Sequence, residues 1–301
     1  MPLVEAIPNI SEGRRQDVID ACALAVRRGG ARLLDVHTDP DHNRSVFTFA
    51  GSPDDVRASA LALVHEAVAR IDLRTHRGVH PRMGAVDVLP FVPLAGLDPQ
   101  VAVALARDVG AQIAADDRVP VYLYDLAASN AGRARLEVVR QGGFEALASR
   151  MAQPGWAPDF GPLTPHPSAG VVAVGARHPL VAFNVVLDTD RLDVAREIAR
   201  RIRERDGGLP AVKALGLPLA SRHLVQVSMN LVNYGLTTPL DVFTRIATEA
   251  AALGVAIKES ELIGLAPAAA LPPDPAAQLR LAGPPRHYAL EDALTAHGLQ
   301  A

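Results

Sequence analysis

Two strand patterns stand back to back early in the chain, and that adjacency limits the fold more than any other feature. Residues 31–37 (ARLLDVH) form a short apolar run and residues 44–50 (RSVFTFA) alternate, with only TDPDHN between them. Asp, Asn and Pro in such a cluster favour a turn, because their side chains bond nearby backbone or preset its angles. A helix pattern lies on each side. In 14–28 (RRQDVIDACALAVRR), Val18, Ala21, Cys22 and Ala25 recur at helical spacing, and Gly29 and Gly30 stop the run. The second helix opens at GSPDD, where Ser52 suits a cap, Pro53 the first helical position and Asp55 the capping-box acid, and it extends to about Arg70.

A strand pattern (LVEAIPNI) precedes these elements and another (GAVDVLPF) follows them. LDPQ, with Asp98 and Pro99, starts a further helix to about Asp116, and VPVYLYD (119–125) reads as a strand. The first half is thus β-α-β-β-α-β-α-β. Paired strands fit an α+β or mixed-sheet domain, not a run of βαβ units. Neither GxGxxG nor GxxxxGK[ST] occurs, which removes the main support for dinucleotide or P-loop binding.

The second half repeats the mixture. VVAVGARHPLVAFNVVL (171–187) reads as a hairpin turning near 176–179, DTDRLDVAREIARRIRER as an amphipathic helix, and HLVQVSMNLVNY (223–234) as an alternating strand. TTPLDVF carries the cap signature again, with Thr238, Pro239 and Asp241, and VAIKESELIGLAP reads as a last strand running into a short helix. Two related-looking lobes follow, 1–170 and 171–301, without a clear residue-level repeat. Between them lies a Pro/Gly-rich stretch, QPGWAPDFGPLTPHPSAG (153–170). Trp156 and Phe160 make it read as a shaped loop more than a flexible tether.

Bulk properties exclude several functions. The net charge is -3, from 30 basic and 33 acidic residues without a long run of either sign, so a nucleic-acid face is not expected. Cys22 is the only cysteine, which excludes an internal disulfide and a Cys-rich zinc site; its place in a helix pattern suggests a buried, inert thiol. No stretch reaches the roughly 20 apolar residues of a membrane helix, and the N-terminus lacks a signal-peptide pattern. A cytoplasmic location is the expectation.

Chemistry concentrates in IDLRTHRGVHPRMGAVDVLPF (71–91). Pro81 pushes His80 toward an extended backbone, and Gly78 and Gly84 allow a tight path on either side. That arrangement suits an imidazole presented rigidly as a general acid/base. Arg82 offers a fork for a carboxylate, and Asp87 is a candidate for orienting a histidine. His76, Arg74 and Arg77 read equally well as a solvated rim. In HTDPDHN, His37, Asp39, Asp41 and His42 match no strong metal motif, so no metal is expected. In PNISEG, Asn9 and Glu12 follow the first strand, where ligand loops occur, while Ser11 reads equally well as a helix cap.

Several long blocks, in order, resemble the glutamate formiminotransferase family: IPNISEG (7–13), LLDV (33–36), DHNRSVFTFAG (41–51), HRGVHPRMGAVDVLPFVP (76–93), VPVYLY (119–124), WAPDFGP (156–162), VGARHPLVAFNVVL (174–187) and QVSMNL (226–231). The family also occurs as the N-terminal part of bifunctional formiminotransferase-cyclodeaminases. The resemblance implies two ferredoxin-like α/β lobes with mixed and antiparallel sheets, a cleft between them and a homodimer. It implies transfer of a formimino group from N-formimino-L-glutamate to N5 of tetrahydrofolate, the cosubstrate, in histidine degradation. The chain stops without room for a cyclodeaminase, so that activity is expected to be absent or to reside on a separate protein.

The family's catalytic histidine falls on His80. Its folate loop falls on Gly161, Pro162, Leu163, Thr164, Pro165, His166, Pro167, Ser168, Ala169 and Gly170. By position in matching blocks and by side-chain chemistry, Asn9, Glu12, Arg44 and Arg82 are substrate-binding candidates, and Trp156 and Phe160 candidate walls of the pterin site. Val79 stands where many relatives carry Glu, and His37 where animal relatives carry an acid. Those departures keep formyl transfer from N-formyl-L-glutamate open, together with a non-catalytic folate-binding protein. A metal-dependent hydrolase using His37, Asp39 and His42 is the unrelated alternative.

Overall fold

The computed structural model describes residues 2–94, 96–283 and 286–300. The chain divides into two compact units between Arg177 and His178. That division lies beyond the break expected at 170/171, because β7 (Val172–Ala176) belongs to the sheet of the first unit.

In the first unit the chain forms β1 (Val4–Ala6), β2 (Asn9–Ile10), α1 (Gln16–Arg28), β3 (Arg32–Asp39), β4 (Arg44–Gly51), α2 (Pro53–Arg70) and β5 (Val86–Pro93). Both β1 and β2 pair antiparallel with β4 on one side and β5 on the other, so they form one strand interrupted at Ile7 and Pro8. β3 lies outside β4. The order β3-β4-β1/β2-β5 over βαββαβ connectivity is ferredoxin-like. Then α3 (Pro99–Asp116) leads to β6 (Val121–Asp125), and β7 inserts between β5 and β6, parallel to both. Two short helices, α4 (Leu136–Val139) and α5 (Leu147–Met151), lie in the connection from β6 to β7.

The second unit is the same plan without the extension: β8 (Val181–Leu187), α6 (Leu192–Ile202), β9 (Val212–Leu219), β10 (Leu224–Leu231), α7 (Pro239–Ala252) and β11 (Ile257–Ile263). Its sheet runs β11-β8-β10-β9, antiparallel throughout.

The expected caps form. Ser52 Oγ accepts from Asp55 N, Asp98 Oδ1 from Gln100 N, and Thr238 and Asp241 make a reciprocal capping box. Ser11 is not a helix cap; its hydroxyl serves the candidate site. The 171–187 hairpin is not formed either, since β7 and β8 join different sheets. Both strands are apolar at nearly every position, the signature of burial on two faces rather than of a half-exposed hairpin. β9 was not anticipated, because Gly216 and Pro218 interrupt its pattern; at the sheet edge, the missing Pro N–H is tolerated.

Phe47, Phe49 and Phe91 are fully buried in the first core and Phe183 in the second. Burying each contributes about 1.5–3 kcal/mol. Cys22 is buried, and burial pushes its thiol up to about 12, as an inert core residue requires.

Candidate active site

The chain leaves α2 at Ile71 and enters β5 only at Val86. The loop between is tied down on both flanks. Leu73 N donates to Ser168 O (2.8 Å), and Val79 N to Asp41 O (3.3 Å). Beyond His80, Met83 O accepts from Val171 N (3.1 Å), Ala85 N donates to Ala169 O (2.9 Å), and Ser11 Oγ donates to Gly84 O (2.7 Å). A Cβ at Gly78 would stand 2.2 Å from His42 O, so only glycine lets the loop pass that carbonyl.

His80 is half-buried within this segment. Its Nδ1 lies 2.7 Å from Pro81 O and its Nε2 2.9 Å from Arg44 Nη1. A carbonyl oxygen only accepts and a guanidinium only donates. The ring is therefore neutral, with its hydrogen on Nδ1 and its lone pair on Nε2. Burial holds it well below the ordinary histidine range, reinforced by the charges of Arg44, Arg140 and His42. The His42 ring lies 5.6 Å from that of His80, centroid to centroid.

Arg44 is the first residue of β4, and its Nε is buried without a hydrogen-bond partner. Burial, then the neighbouring Arg140 charge, push it down to about 10, so it remains a cation at neutral pH. Arg140 follows α4 and pairs with Asp87, Nη2 to Oδ2 at 2.7 Å, while Asp87 Oδ1 accepts from Met83 N at 2.8 Å. Asp87 thus holds an arginine and the loop backbone. Arg150 fixes α4 by donating to the carbonyls of Val138, Val139 and Gln141, and its guanidinium lies 3.5 Å from the Trp156 ring centroid.

Next to this assembly is a cleft of about 690 Å³ lined by Leu73, Arg74, His76, Arg77, Gly78, Arg82, Phe144, Glu145, Ala148, Pro165, His166 and Pro167. Arg82 binds both carboxylate oxygens of Glu145, at 2.9 and 2.7 Å, and donates through Nε to His76 Nδ1 at 3.1 Å. His76 in turn donates from Nε2 to Asn43 O at 2.9 Å, which makes it a neutral bridge at the back of the cleft. Burial lowers its pKa.

The 161–170 segment divides in two. Gly161, Leu163 and Thr164 are exposed, whereas Ala169 and Gly170 are buried against the His80 loop. His166 and Gly170 each donate a backbone N–H to the other's carbonyl at 2.9 Å, closing a small ring of chain. His166 Nδ1 accepts from Ala169 N at 3.0 Å, which puts the hydrogen on Nε2.

The structure joins His80 to Arg44 and places Arg82 with 165–167 around one cleft. His80 itself is not among the cleft's described lining residues, although Gly78 and Arg82 on either side are. Asn9 and Glu12 make no hydrogen bond to His80 among the described residues. Glu12 accepts from the backbone of Arg14 and Arg15 and pairs with the Arg15 guanidinium. Burial alone would raise its pKa, but these bonds outweigh it and leave the carboxyl lowered. It faces a separate hollow of about 170 Å³. Asn9 Nδ2 donates to Ile7 O, and its Oδ1 is buried without a partner.

Trp156 and Phe160 do not line the cleft. Trp156 packs on Tyr122 and Arg150, and Phe160 on the first core. Phe144, Glu145 and Arg140 were missed from sequence; they lie in the connection between α4 and α5, which carries no local signal. Among the described residues, no group of three His, Cys, Asp or Glu side chains is placed to hold a metal ion.

Residues 3–177 match the N-terminal subdomain of the formiminotransferase domain, and residues 182–277 match the formiminotransferase domain. The glutamate formimidoyltransferase of Streptococcus pyogenes serotype M1 is 46% identical over 270 residues, covering 89% of this chain and 90% of that protein. That of Thermoplasma acidophilum is 42% identical over 274 residues, covering 90% of each. The formimidoyltransferase-cyclodeaminase of Sus scrofa is 44% identical over 276 residues, which is 89% of this chain and 51% of that protein. Fold and relatives together define a transferase built from two ferredoxin-like α+β units. Within that class, the chain belongs to the formiminotransferase family.

Proposed function

We infer that the protein is a glutamate formimidoyltransferase, moving the formimino group of N-formimino-L-glutamate to N5 of tetrahydrofolate in histidine degradation. The observation that carries this reading is His80: a neutral imidazole with its lone pair on Nε2, in a loop whose neighbouring residues line a cleft. N5 attacks the formimino carbon and an N5–C bond forms. His80 Nε2 takes the N5 proton and returns it to the glutamate nitrogen as the C–N bond breaks. No net proton stays on the ring, so one imidazole serves both half-steps. Such transfer contributes about 10²–10⁴-fold, and holding both substrates together adds an entropic share.

The cleft suits folate as a substrate. Its volume lies in the range of small-molecule sites. Phe144, Pro165 and Pro167 offer apolar surface to a pterin ring, and Arg74 and Arg77 offer charge to carboxylates. The 161–170 loop contributes through its middle. Arg82 already holds Glu145, so a carboxylate reaching Arg82 displaces that partner.

Formyl transfer from N-formyl-L-glutamate is favoured by one observation. Val79, beside His80, is 36% exposed and apolar, so it offers no acid to an amidinium. Purified protein given tetrahydrofolate and either donor decides the matter. Turnover is expected with the formimino compound; turnover with the formyl compound alone overturns the assignment. Folate binding without turnover of either donor identifies a non-catalytic protein.

A further inference from the structure

We propose that Arg44 is a positioning residue that covers the His80 lone pair, as in this structure, and uncovers it by moving to a carboxylate of the donor, so that the base is bared only when a dicarboxylate amino acid is present. This rests on His80 as the proton carrier. In the structure Nε2 is already engaged, 2.9 Å from Arg44 Nη1. An imidazole nitrogen has one lone pair, so it cannot accept from Arg44 and from N5–H at once. Either Arg44 leaves or the proton transfer does not occur.

The surroundings favour departure once an anion arrives. Arg44 Nε is buried without a partner, and the acceptor facing Nη1 is a neutral ring nitrogen. The acids nearby are committed elsewhere: Asp87 to Arg140 and Met83 N, Asp39 to His42 through both its backbone N–H (2.8 Å) and its ring (3.3 Å). A donor carboxylate offers the charge-assisted, two-point bond this guanidinium lacks, in a place where an unmatched charge is costly. The cleft boundary agrees: Gly78 and Arg82 line it, whereas the ring between them is turned to Arg44. A monoacid donor leaves one carboxylate too few to anchor the ligand and also draw Arg44 away. Selectivity for a dicarboxylate and activation of the base then become one event.

The charged and titratable groups bearing on His80 are Arg44 from β4, His42 from the preceding turn and Arg140 beyond α4, and those bearing on Arg44 are Arg140, Asp87 from β5 and Asp39 at the end of β3. Arg44 is a cation, so removing it, or pairing it with a carboxylate, raises the His80 pKa.

The test is a ¹⁵N-histidine NMR titration of the whole protein without folate, in wild type, Arg44→Gln and Arg44→Lys, each with and without glutarate as the carboxylate probe. In wild type, His80 is expected to stay neutral as Nδ1–H, and saturating glutarate to raise its pKa. Arg44→Gln should raise it without glutarate and abolish the response; Arg44→Lys, which is shorter, should give an intermediate value. The spectra report folding, and if Arg44→Gln unfolds, the lysine variant and the wild-type glutarate response still decide. In turnover, Arg44→Gln should raise the donor KM at least tenfold and move the acid limb of kcat/KM upward. A His80 pKa that neither glutarate nor Arg44 substitution changes overturns the proposal. Absent turnover with an intact glutarate response counts against the formimino assignment instead.

Discussion

The two units share a βαββαβ plan and differ in where they keep their polar groups. The second buries Asn184, Gln226, Thr237 and Ser260, none of them charged, among its described residues. Several of its ion pairs lie on helix exteriors, as in the chain Arg201–Glu197 and Arg201–Glu249–Arg245, and others join β11 to nearby loops, as in Arg222–Glu259 and Lys258–Asp188. The first unit buries Glu12, His42, His76, Asp87 and Arg133 and adds a half-buried His80. Its first strand is broken at Pro8, and the chain beyond the break supplies Ser11, which ties down Gly84. The same plan buries only uncharged polar groups where its strands run on, and holds the candidate site where a strand is interrupted and its loops are pinned. Buried polar groups cost free energy unless bonded, and the first unit leaves several of its buried side-chain atoms without a hydrogen bond, Asn9 Oδ1 and Arg44 Nε among them.

The largest break in this comparison is expected at His80. His80→Ala should lower kcat about 10²–10⁴-fold while leaving the thermal transition of the second unit unmoved, as scanning calorimetry can show. A comparable loss from any surface charge of α6 would erase the distinction between the units. Core truncation should be symmetrical instead: Phe91→Ala and Phe183→Ala each should cost about 3–5 kcal/mol, measured by denaturant unfolding. If only one destabilises, the cores are not equivalent.

Acid should separate the units again. His76 and His80 are held below the ordinary histidine value, the first by burial and the second by burial with Arg44 and Arg140. The unfolded chain therefore binds more protons as pH falls below about 6.5, and stability of the first unit declines from there down to the folded-state values. In the second unit Glu197 is lowered to about 2 by Arg200 and Arg201, and Glu249 is lowered by Arg201 and Arg245. Their contribution persists above about pH 4.3 and fades below it. Hydrogen exchange at pH 7 and pH 5.5 should show loosening in the first unit only. The smallest effect is expected from Thr238→Ala, about 1 kcal/mol from the α7 cap with unchanged turnover.

Much of this was legible in sequence where the signal is local. Ser52, Asp98 and Thr238 announce their helices because a cap needs only its next few residues. The constrained path of the loop around His80 was legible because Pro81 and the flanking glycines act on adjacent backbone. What stayed hidden depends on distant packing. Arg140 reaches Asp87 and bears on His80 only because Arg150, seated on Trp156, fixes α4. Glu145 meets Arg82 beside a backbone bond from Phe144 N to Arg82 O, across 63 residues of sequence. The separation of β7 from β8 was hidden because two fully apolar strands look alike whichever sheet receives them.

One consequence follows from the place of β7. It slots between β5 and β6, both of which precede it, and the residues just before it supply the partners of Leu73, Met83 and Ala85. A growing chain on the ribosome carries His80 long before it carries those partners. The site is assembled by a late insertion, and a polypeptide halted short of Val172 would present an open, adhesive strand edge in place of a working pocket.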